Sequence, residues 1–369
     1  MIREEINEIK KQFNKDTNVI TKYAGCYVDA EKNIKFMTKD AFYSLPEEDA
    51  FKYEEIFRKT LSGAVGKSLL TLDFSIDEEG EDTPHAFLMK LRESRLDDEL
   101  ILDEFFRKVI DAYEYAENYY IILVDMMYDI PGKSSDKLAM EDASNEVYHG
   151  LLCSICPVTL SKPALSYFAN EGVIANRIRD WIVGMPMHGF LFPAFTERTT
   201  DIHAALYFSK KNDALNESFI NEIIGVNPPM SSVMQKETFE AVLYDVLRDE
   251  LTMPVMSALS SNMLDLIAEN SDNPEPLVLT KNDMVKLISK SGVSDEAVES
   301  YEKSADADIE VLADNVVDTK KFEVKTPGIT VKTDTDSIEK LETRVIDGRK
   351  YLLVPIEDDV EVNGMPVKA

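Results

Sequence analysis

Four apolar segments in the middle of the chain constrain the fold most. They are rich in Ile, Leu and aromatic residues, turn residues separate them, and they cover residues 118–130, 149–161, 189–195 and 201–209. The last two are too close together for a long helix to connect them. Such segments are typical of neighbouring strands, so the sequence predicts a central antiparallel or mixed sheet.

Helical spacing of apolar residues flanks these segments on both sides. It covers residues 2–13, 46–63, 85–93 and 97–115 before them, and 215–224, 235–251, 255–268, 281–289 and 295–303 after them. Residues 25–37 form an early strand–turn–strand pattern. From residue 319 onward the pattern alternates again, with hairpin turns predicted at Asp347-Gly348 and Asn363-Gly364.

The predicted fold class is therefore α+β, with a central mixed or antiparallel sheet, flanking helices and a small C-terminal β module. Three regions are expected: residues 1–115 with helices and a hairpin, 116–272 with the α+β core, and 273–369 with a helix and β-hairpins. The length of 369 residues suits two or three domains.

The charge balance excludes some partners. The formal net charge is −29, which repels phosphate backbones and anionic lipid at long range. The first residues lack the apolar centre of a signal peptide, and no apolar run reaches the ~20 residues of a membrane helix. Three cysteines in so long a chain argue against a disulfide framework. The expected location is the cytoplasm, with no membrane partner.

Cys153 and Cys156 form a Cys-x-x-Cys pair with His149 four residues earlier. This spacing is compatible with a metal or redox site, which His188 or His203 could complete if the fold brought one close. A second Cys-x-x-Cys pair is absent, however, and buried free thiols on a core strand are the commoner outcome. The expectation is therefore no metal site, with these residues as the candidates if one exists.

Polar residues crowd a predicted turn between the last two apolar segments. Arg198, Asp201 and His203 are the candidate catalytic residues, because sites are often built where core strands end. The alternative is a hydrogen-bonded turn in which Asp201 binds the backbone. No complete catalytic set and no cofactor motif is recognisable.

Two groups of residues are candidates for binding a partner. Arg177, Arg179 and the single tryptophan, Trp181, could bind an anion or stack on a base. An ordinary Arg–Asp pair with Asp180 beside a packing tryptophan explains this group equally well. The second group lies in the less acidic C-terminal strands and comprises Lys320, Lys321, Arg344 and Arg349. Solvated lysines that protect exposed strands explain the second group equally well.

Several phrases point to a known family. They are EIKKQF, GCYVDAEKNIK, FRKTLSG, LLCSICPVTLSKPALSY, GFLFPAFTERTTDIH, KFEVKTP and ETRVIDGRKYLLVPIEDDVEVNG. Together they closely resemble a bacterial family catalogued as domain of unknown function 4317, over nearly the whole chain. The resemblance implies a cytoplasmic bacterial protein. The family has no established activity, so it implies no catalytic residue.

A second likeness, over about a third of the chain, is to nucleoid-associated proteins of the NdpA type. It is carried by DIHAALYFSKK, FINEIIG, the predicted helix from Gln235, KFEVKTPGITVKT and RVIDGRKYLLVPI. The leading hypothesis is thus a non-enzymatic interaction protein, at the periphery of the nucleoid if it contacts DNA. Its partner would be a protein or, more weakly, a nucleic acid. The alternative is a metal- or ligand-dependent enzyme with a site at the rim of the sheet.

Overall fold

The computed structural model describes residues 1–17, 19–133, 139–140, 146–213, 215–304, 309–356, 360–362 and 365–367. The chain divides into two compact units, residues 1–231 and 232–369. Each unit is described by itself below.

The N-terminal unit contains fourteen strands among its described residues. They are β1 (Ile20–Val28), β2 (Ile34–Ala41), β3 (Leu69–Asp73), β4 (Tyr119–Ile130), β5 (Gly132–Lys133), β6 (Ala139–Met140), β7 (Glu146–Leu160), β8 (Leu165–Phe168), β9 (Val173–Asn176), β10 (Trp181–Val183), β11 (His188–Phe192), β12 (Ala194–Thr196), β13 (Thr199–Asp201) and β14 (Ala204–Ser209). Its helices are α1 (Arg3–Lys11), α2 (Glu47–Thr60), α3 (Pro84–Glu93), α4 (Glu99–Ala112) and α5 (Glu217–Phe219). A π-helical turn (Ile220–Ile224) continues α5, and short 3-10 helices lie at Phe42–Ser44 and Ile76–Glu79.

The central sheet has eight strands, of which seven follow the order β2-β1-β4-β7-β11-β14-β3 and the eighth, β10, pairs with the end of β7. Every neighbouring pair is antiparallel. The α+β prediction is confirmed, and of its two alternatives the sheet is the antiparallel one. All four apolar segments supply strands to it.

Both faces of the sheet are covered by helices. α1 and α2 pack on one face, and α3, α4 and the π-helical turn pack on the other. As a result, β4 and most of β7 are buried on both sides. Antiparallel strands usually leave one face in water and then alternate polar with apolar residues. Burial on both faces explains why these segments are continuously apolar.

The early elements follow the predicted pattern. The apolar face of residues 2–13 gives α1, and the strand–turn–strand pattern gives β1 and β2. Their turn is held by Asp29, whose Oδ1 accepts hydrogen bonds from the backbone N–H of Asn33 (2.8 Å) and Glu31 (3.1 Å). Asp29 also forms an ion pair with Lys35 at 2.6 Å.

The C-terminal unit is helical at first and β later. Its helices are α6 (Ser232–Leu247), α7 (Met253–Glu269), α8 (Lys281–Lys290), α9 (Asp295–Lys303) and α10 (Ala313–Val316), with 3-10 helices at Arg248–Glu250 and Thr335–Lys340. Its strands pair as β15 (Val278–Leu279) with β16 (Val311–Leu312), β17 (Lys321–Thr326) with β18 (Ile329–Asp334), β19 (Glu342–Ile346) with β20 (Arg349–Leu353), and β21 (Val360–Val362) with β22 (Met365–Val367). α6–α9 enclose a separate apolar core.

The β19–β20 hairpin turns at Asp347 (φ 48°) and Gly348 (φ 76°), as the Asp-Gly pair predicts. β21 and β22 pair as expected, while their connection at Asn363-Gly364 lies outside the described residues.

The two units differ from the three regions expected from the sequence. β1, β2 and β3 come from residues 1–115, yet they belong to the same sheet as β4, β7, β11 and β14. The predicted middle region ends at residue 272, but α6 and α7 share one apolar core with α8 and α9. Strand pairing over long sequence distances determines the first difference and packing between helices determines the second, and local sequence patterns report neither.

Candidate interaction surface

The Cys-x-x-Cys pair lies in the centre of β7, and its two thiols point to opposite faces of the sheet. Cys153 packs with the α3–α4 side and Cys156 with the α1–α2 side, because side chains three residues apart on a strand face opposite ways. Both thiols are fully buried, and burial raises the pKa of each. They therefore cannot share one ion, and both remain neutral thiols.

His149 lies on β7 beside a carboxylate that the sequence analysis did not single out. Its Nε2 is 2.6 Å from Oδ1 of the fully buried Asp125 on β4, and Thr21 donates a hydrogen bond to Oδ2 of the same carboxylate. Arg92 donates to the backbone oxygen of His149 at 2.7 Å. A single acidic residue inside the run YYIILVDMM was the available signal.

The Asp125–His149 pair does not extend to a hydroxyl nucleophile on β7. Ser154 lies on the opposite face of that strand, where its hydroxyl contacts Thr60 of α2 at 2.7 Å. His188, which could have completed a metal set, is 2.8 Å from the hydroxyl of Tyr113. Among the residues that the structure describes, no three or more His, Cys, Asp or Glu side chains are placed to hold a metal ion.

The candidate catalytic residues surround the β12–β13 hairpin. Arg198 lies at its tip with φ 59°, and its guanidinium binds Glu8 of α1 at 2.8–3.1 Å. This carboxylate raises the pKa of Arg198. At the other end of the hairpin, Asp201 Oδ1 accepts the backbone N–H of His203 at 3.1 Å.

The His203 ring is largely exposed, and its Nδ1 lies 2.7 Å from a carboxylate oxygen of Glu79. This carboxylate raises the pKa of His203. Arg198 and His203 are thus engaged by carboxylates of two different elements. The hairpin does not bring them to a common point, and the role of Asp201 is that of a turn residue.

The C-terminal basic residues lie on exposed hairpins that also carry acids. Arg344 is held by Glu342 through two hydrogen bonds of 2.7 and 2.9 Å. Further along the chain, Arg349 begins β20 and is exposed. Lys320 and Lys321 both donate backbone N–H groups to Asp318 (2.9 and 3.1 Å), and both side chains are exposed.

On the β17–β18 hairpin, Lys325 and Lys332 lie 3.1 and 3.7 Å from one carboxylate, that of Glu323. Part of the positive charge of this surface is therefore neutralised within the same hairpin.

Arg177, Arg179 and Trp181 belong to a feature that the sequence analysis did not predict. β7 continues past the end of β4, where Val158–Leu160 pair with β10. Beyond this pair, the two segments of the chain continue as the β8–β9 hairpin. Residues 161–185 thus form a two-stranded extension of the sheet, here called the β arm.

The base of the β arm is fixed by the buried Ser161. Its backbone N–H donates to the carbonyl of Asp180 (2.9 Å), and its own carbonyl accepts Arg179 Nε (2.8 Å). Arg177 donates its backbone N–H to Ala164 (2.8 Å). These bonds hold the strands together between the β7–β10 and β8–β9 pairs.

The β arm is apolar and uncovered. All residues from 171 to 183 are exposed. Nine large apolar side chains of the arm are 43–75% exposed: Leu165, Tyr167, Val173, Ile174, Ile178, Trp181, Ile182, Val183 and Met185. If such a side chain has roughly 150–200 Å² of surface, the nine expose about 800 Å² together, divided between the two faces of the arm. Each face then carries roughly 400 Å², the size of the largest apolar patch on a typical monomer, and such patches are often functional.

One family model matches almost the entire chain. Residues 1–365 match the model described as a domain of unknown function, DUF4317. The chain belongs to this family. The resemblance expected from the sequence phrases is therefore confirmed. No curated protein matches the chain significantly. In the described part of this DUF4317 protein, no helix is both long and apolar enough to cross a membrane.

Proposed function

We propose that this DUF4317 protein is a non-enzymatic, cytoplasmic interaction protein that binds its partner through the β arm. The observation that carries the proposal is the large uncovered apolar surface of the arm. An isolated two-stranded hairpin is at best marginally stable in water. A partner that covers the arm would remove its apolar surface from water and stabilise it.

The enzyme alternative has less support from the geometry. Cys153 and Cys156 point away from each other across the sheet, and Arg198 and His203 are bound by Glu8 and Glu79. A reaction centre requires groups that converge on one substrate atom.

Contact with nucleic acid also has less support than contact with a protein. The net charge of −29 opposes the approach of a duplex. In the C-terminal hairpins, Lys325, Lys332 and Arg344 are paired with carboxylates. A role at the periphery of the nucleoid would then depend on a protein partner.

Site-specific photo-crosslinking in cells tests the proposal. A benzophenone amino acid replaces Ile174 at the arm in one variant and Leu100 in the control, which is 83% exposed at the start of α4. Both positions expose an apolar side chain, but only Ile174 lies within the β arm. We expect cross-linked adducts from position 174 and none from position 100.

Equal yields from both positions, or none from either, would contradict the proposal. Binding to a DNA duplex at low salt that weakens as salt rises would favour the nucleic-acid function instead.

A further inference from the structure

We propose that the partner of the β arm is a second copy of this chain, which pairs β9 against β9 about a two-fold axis at Ile174. This inference rests on the proposed function and specifies the partner. It predicts a four-stranded antiparallel sheet with the order β8-β9-β9-β8, formed by two arms.

The backbone of β9 has hydrogen-bonding groups available for this pairing. β8 lies on one side of β9, and among the described residues no other strand pairs with β9. Arg177 donates its N–H inward to Ala164. Because these groups alternate in direction along an antiparallel strand, Ile174 and Asn176 direct theirs to the open edge. Ile174 can therefore exchange two hydrogen bonds with Ile174 of a second copy.

The side chains form a continuous apolar row in this register. Ile174 is opposite Tyr167 within the hairpin, and the two are 71% and 66% exposed. Two-fold pairing at Ile174 gives the row Tyr167–Ile174–Ile174–Tyr167 across four strands. Cross-strand aromatic and β-branched neighbours of this kind stabilise sheets. Pairing also joins two marginally stable hairpins into one four-stranded sheet, which is large enough to be stable.

Charges at the edge match in the same register. Antiparallel pairing centred on residue 174 brings Glu171, in the β8–β9 turn, alongside Arg177, just past the end of β9, in the other copy, twice by symmetry. Both side chains are exposed. The arm has three cations (Lys162, Arg177 and Arg179) against two carboxylates (Glu171 and Asp180), so its net charge is +1 in a chain of −29. Two copies can therefore meet here with little local repulsion.

A membrane fits the arm less well than a second copy does. Within lipid, the open edge of a two-stranded hairpin would leave backbone N–H and C=O groups without hydrogen bonds. The acidity of the chain also opposes anionic lipid. A second β9 satisfies those backbone groups directly.

Sedimentation equilibrium of the purified full-length protein tests the inference. The paired segment is short, so we expect wild type to change from one-chain to two-chain mass across the micromolar range. Two charge-reversal variants, Glu171→Arg and Arg177→Glu, place like charges opposite each other in their homodimers. Each should weaken association by about tenfold, because every homodimer then contains two contacts between like charges.

The decisive sample is an equimolar mixture of the two variants. In a heterodimer, one chain carries arginine at both positions 171 and 177, and the other chain carries glutamate at both. Both contacts therefore again join opposite charges. We expect the mixture to associate about as strongly as wild type. Protection of the buried thiols would show that both variants are folded.

Two results would overturn the inference: wild type that stays at one-chain mass throughout that range, or a mixture that associates no better than its components. A single-chain mass together with cross-links from position 174 to a different protein would reject the second copy and retain the proposed function. A single-chain mass without any cross-link would reject both.

Discussion

Gly189 on β11 is placed where no larger residue fits. A Cβ atom built there would lie 2.4 Å from the backbone oxygen of Cys153 and 2.6 Å from Cγ2 of Thr60. The first contact is with the neighbouring strand β7 and the second with α2. Because a backbone oxygen in the centre of a sheet cannot rotate away, Gly189→Ala must separate the two strands locally.

The expected cost follows from two opposing effects. Overpacking of a buried site costs about 1–3 kcal/mol, and this contact belongs at the upper end. Replacing glycine restricts the unfolded chain and returns roughly 0.4–1 kcal/mol. The free energy of unfolding of the N-terminal unit should therefore fall by about 2 kcal/mol. For a unit of this size, that lowers the melting temperature by about 4–8 °C.

The cysteines provide an assay specific to this unit. Cys26, Cys153 and Cys156 are the only cysteines of the chain, and all three are buried in residues 1–231. Burial raises the pKa of Cys26 to about 12, which further suppresses its reactivity. Pulsed thiol labelling over a series of urea concentrations therefore measures unfolding of this unit alone.

Gly80→Ala is the matched control. The nearest atom to its added Cβ would be 3.4 Å away, and Gly80 has φ −62°, which alanine adopts readily. This variant should be as stable as wild type or slightly more so. The double variant Gly189→Ala/Thr60→Ser should recover only part of the loss, because the Cys153 oxygen remains. A change below about 0.5 kcal/mol for Gly189→Ala would refute the argument, since it lies within the range of ordinary surface substitutions.

Three further predictions concern buried or ion-paired groups. The ion pair with Lys35 lowers the pKa of Asp29, so its stabilising effect is present above the unfolded pKa of about 3.9 and is lost as pH falls through the lower folded pKa. The difference in urea midpoint between wild type and Asp29→Asn should thus be larger at pH 7 than at pH 3, and an equal difference would contradict this. Asp125→Ala removes the buried acceptor of the His149 imidazole and the Thr21 hydroxyl, and it should lower the free energy of unfolding by about 2–3 kcal/mol. Asp129→Ala, at an exposed position of the same strand, should change the urea midpoint little. Equal effects of the two substitutions would be inconsistent with the buried contacts. Cys153→Ser buries a hydroxyl in an apolar site and should lower the free energy of unfolding by about 1–3 kcal/mol. Elemental analysis should find the same zinc content in the variant and in wild type. A lower zinc content in the variant would support the metal hypothesis instead.

Local patterns in the sequence were enough to predict most helices and the strands of the sheet. The helix of residues 2–13 and the turn at Asp347-Gly348 follow directly from apolar spacing and from the need for positive φ. The continuous apolar runs predicted buried strands, but the pairing order joins β1 to β4 across nearly a hundred residues. No local pattern specifies that order.

The candidate sites were harder to predict for the same reason. The period of a strand already implied that Cys153 and Cys156 face opposite ways, and this inference was available from the sequence. Asp125 and His149 meet only because β4 and β7 pair in a particular register. The β arm was missed because its apolar residues occupy both faces, so neither helical nor strand periodicity is clear in residues 165–185.

The strand β7 belongs to two structures at once, since one part lies in the sheet and the other begins the β arm. Its register in the sheet is set by β4 and β11, which end before Val158. Insertions or deletions beyond that point can therefore change how far the arm reaches without disturbing the core. An insertion or deletion of two residues in each strand of the hairpin would keep every side chain on its original face. An insertion or deletion of one residue in each strand would turn the side chains at the tip to the opposite faces. The reach of the arm can in this way change by whole pleats while the sheet stays the same.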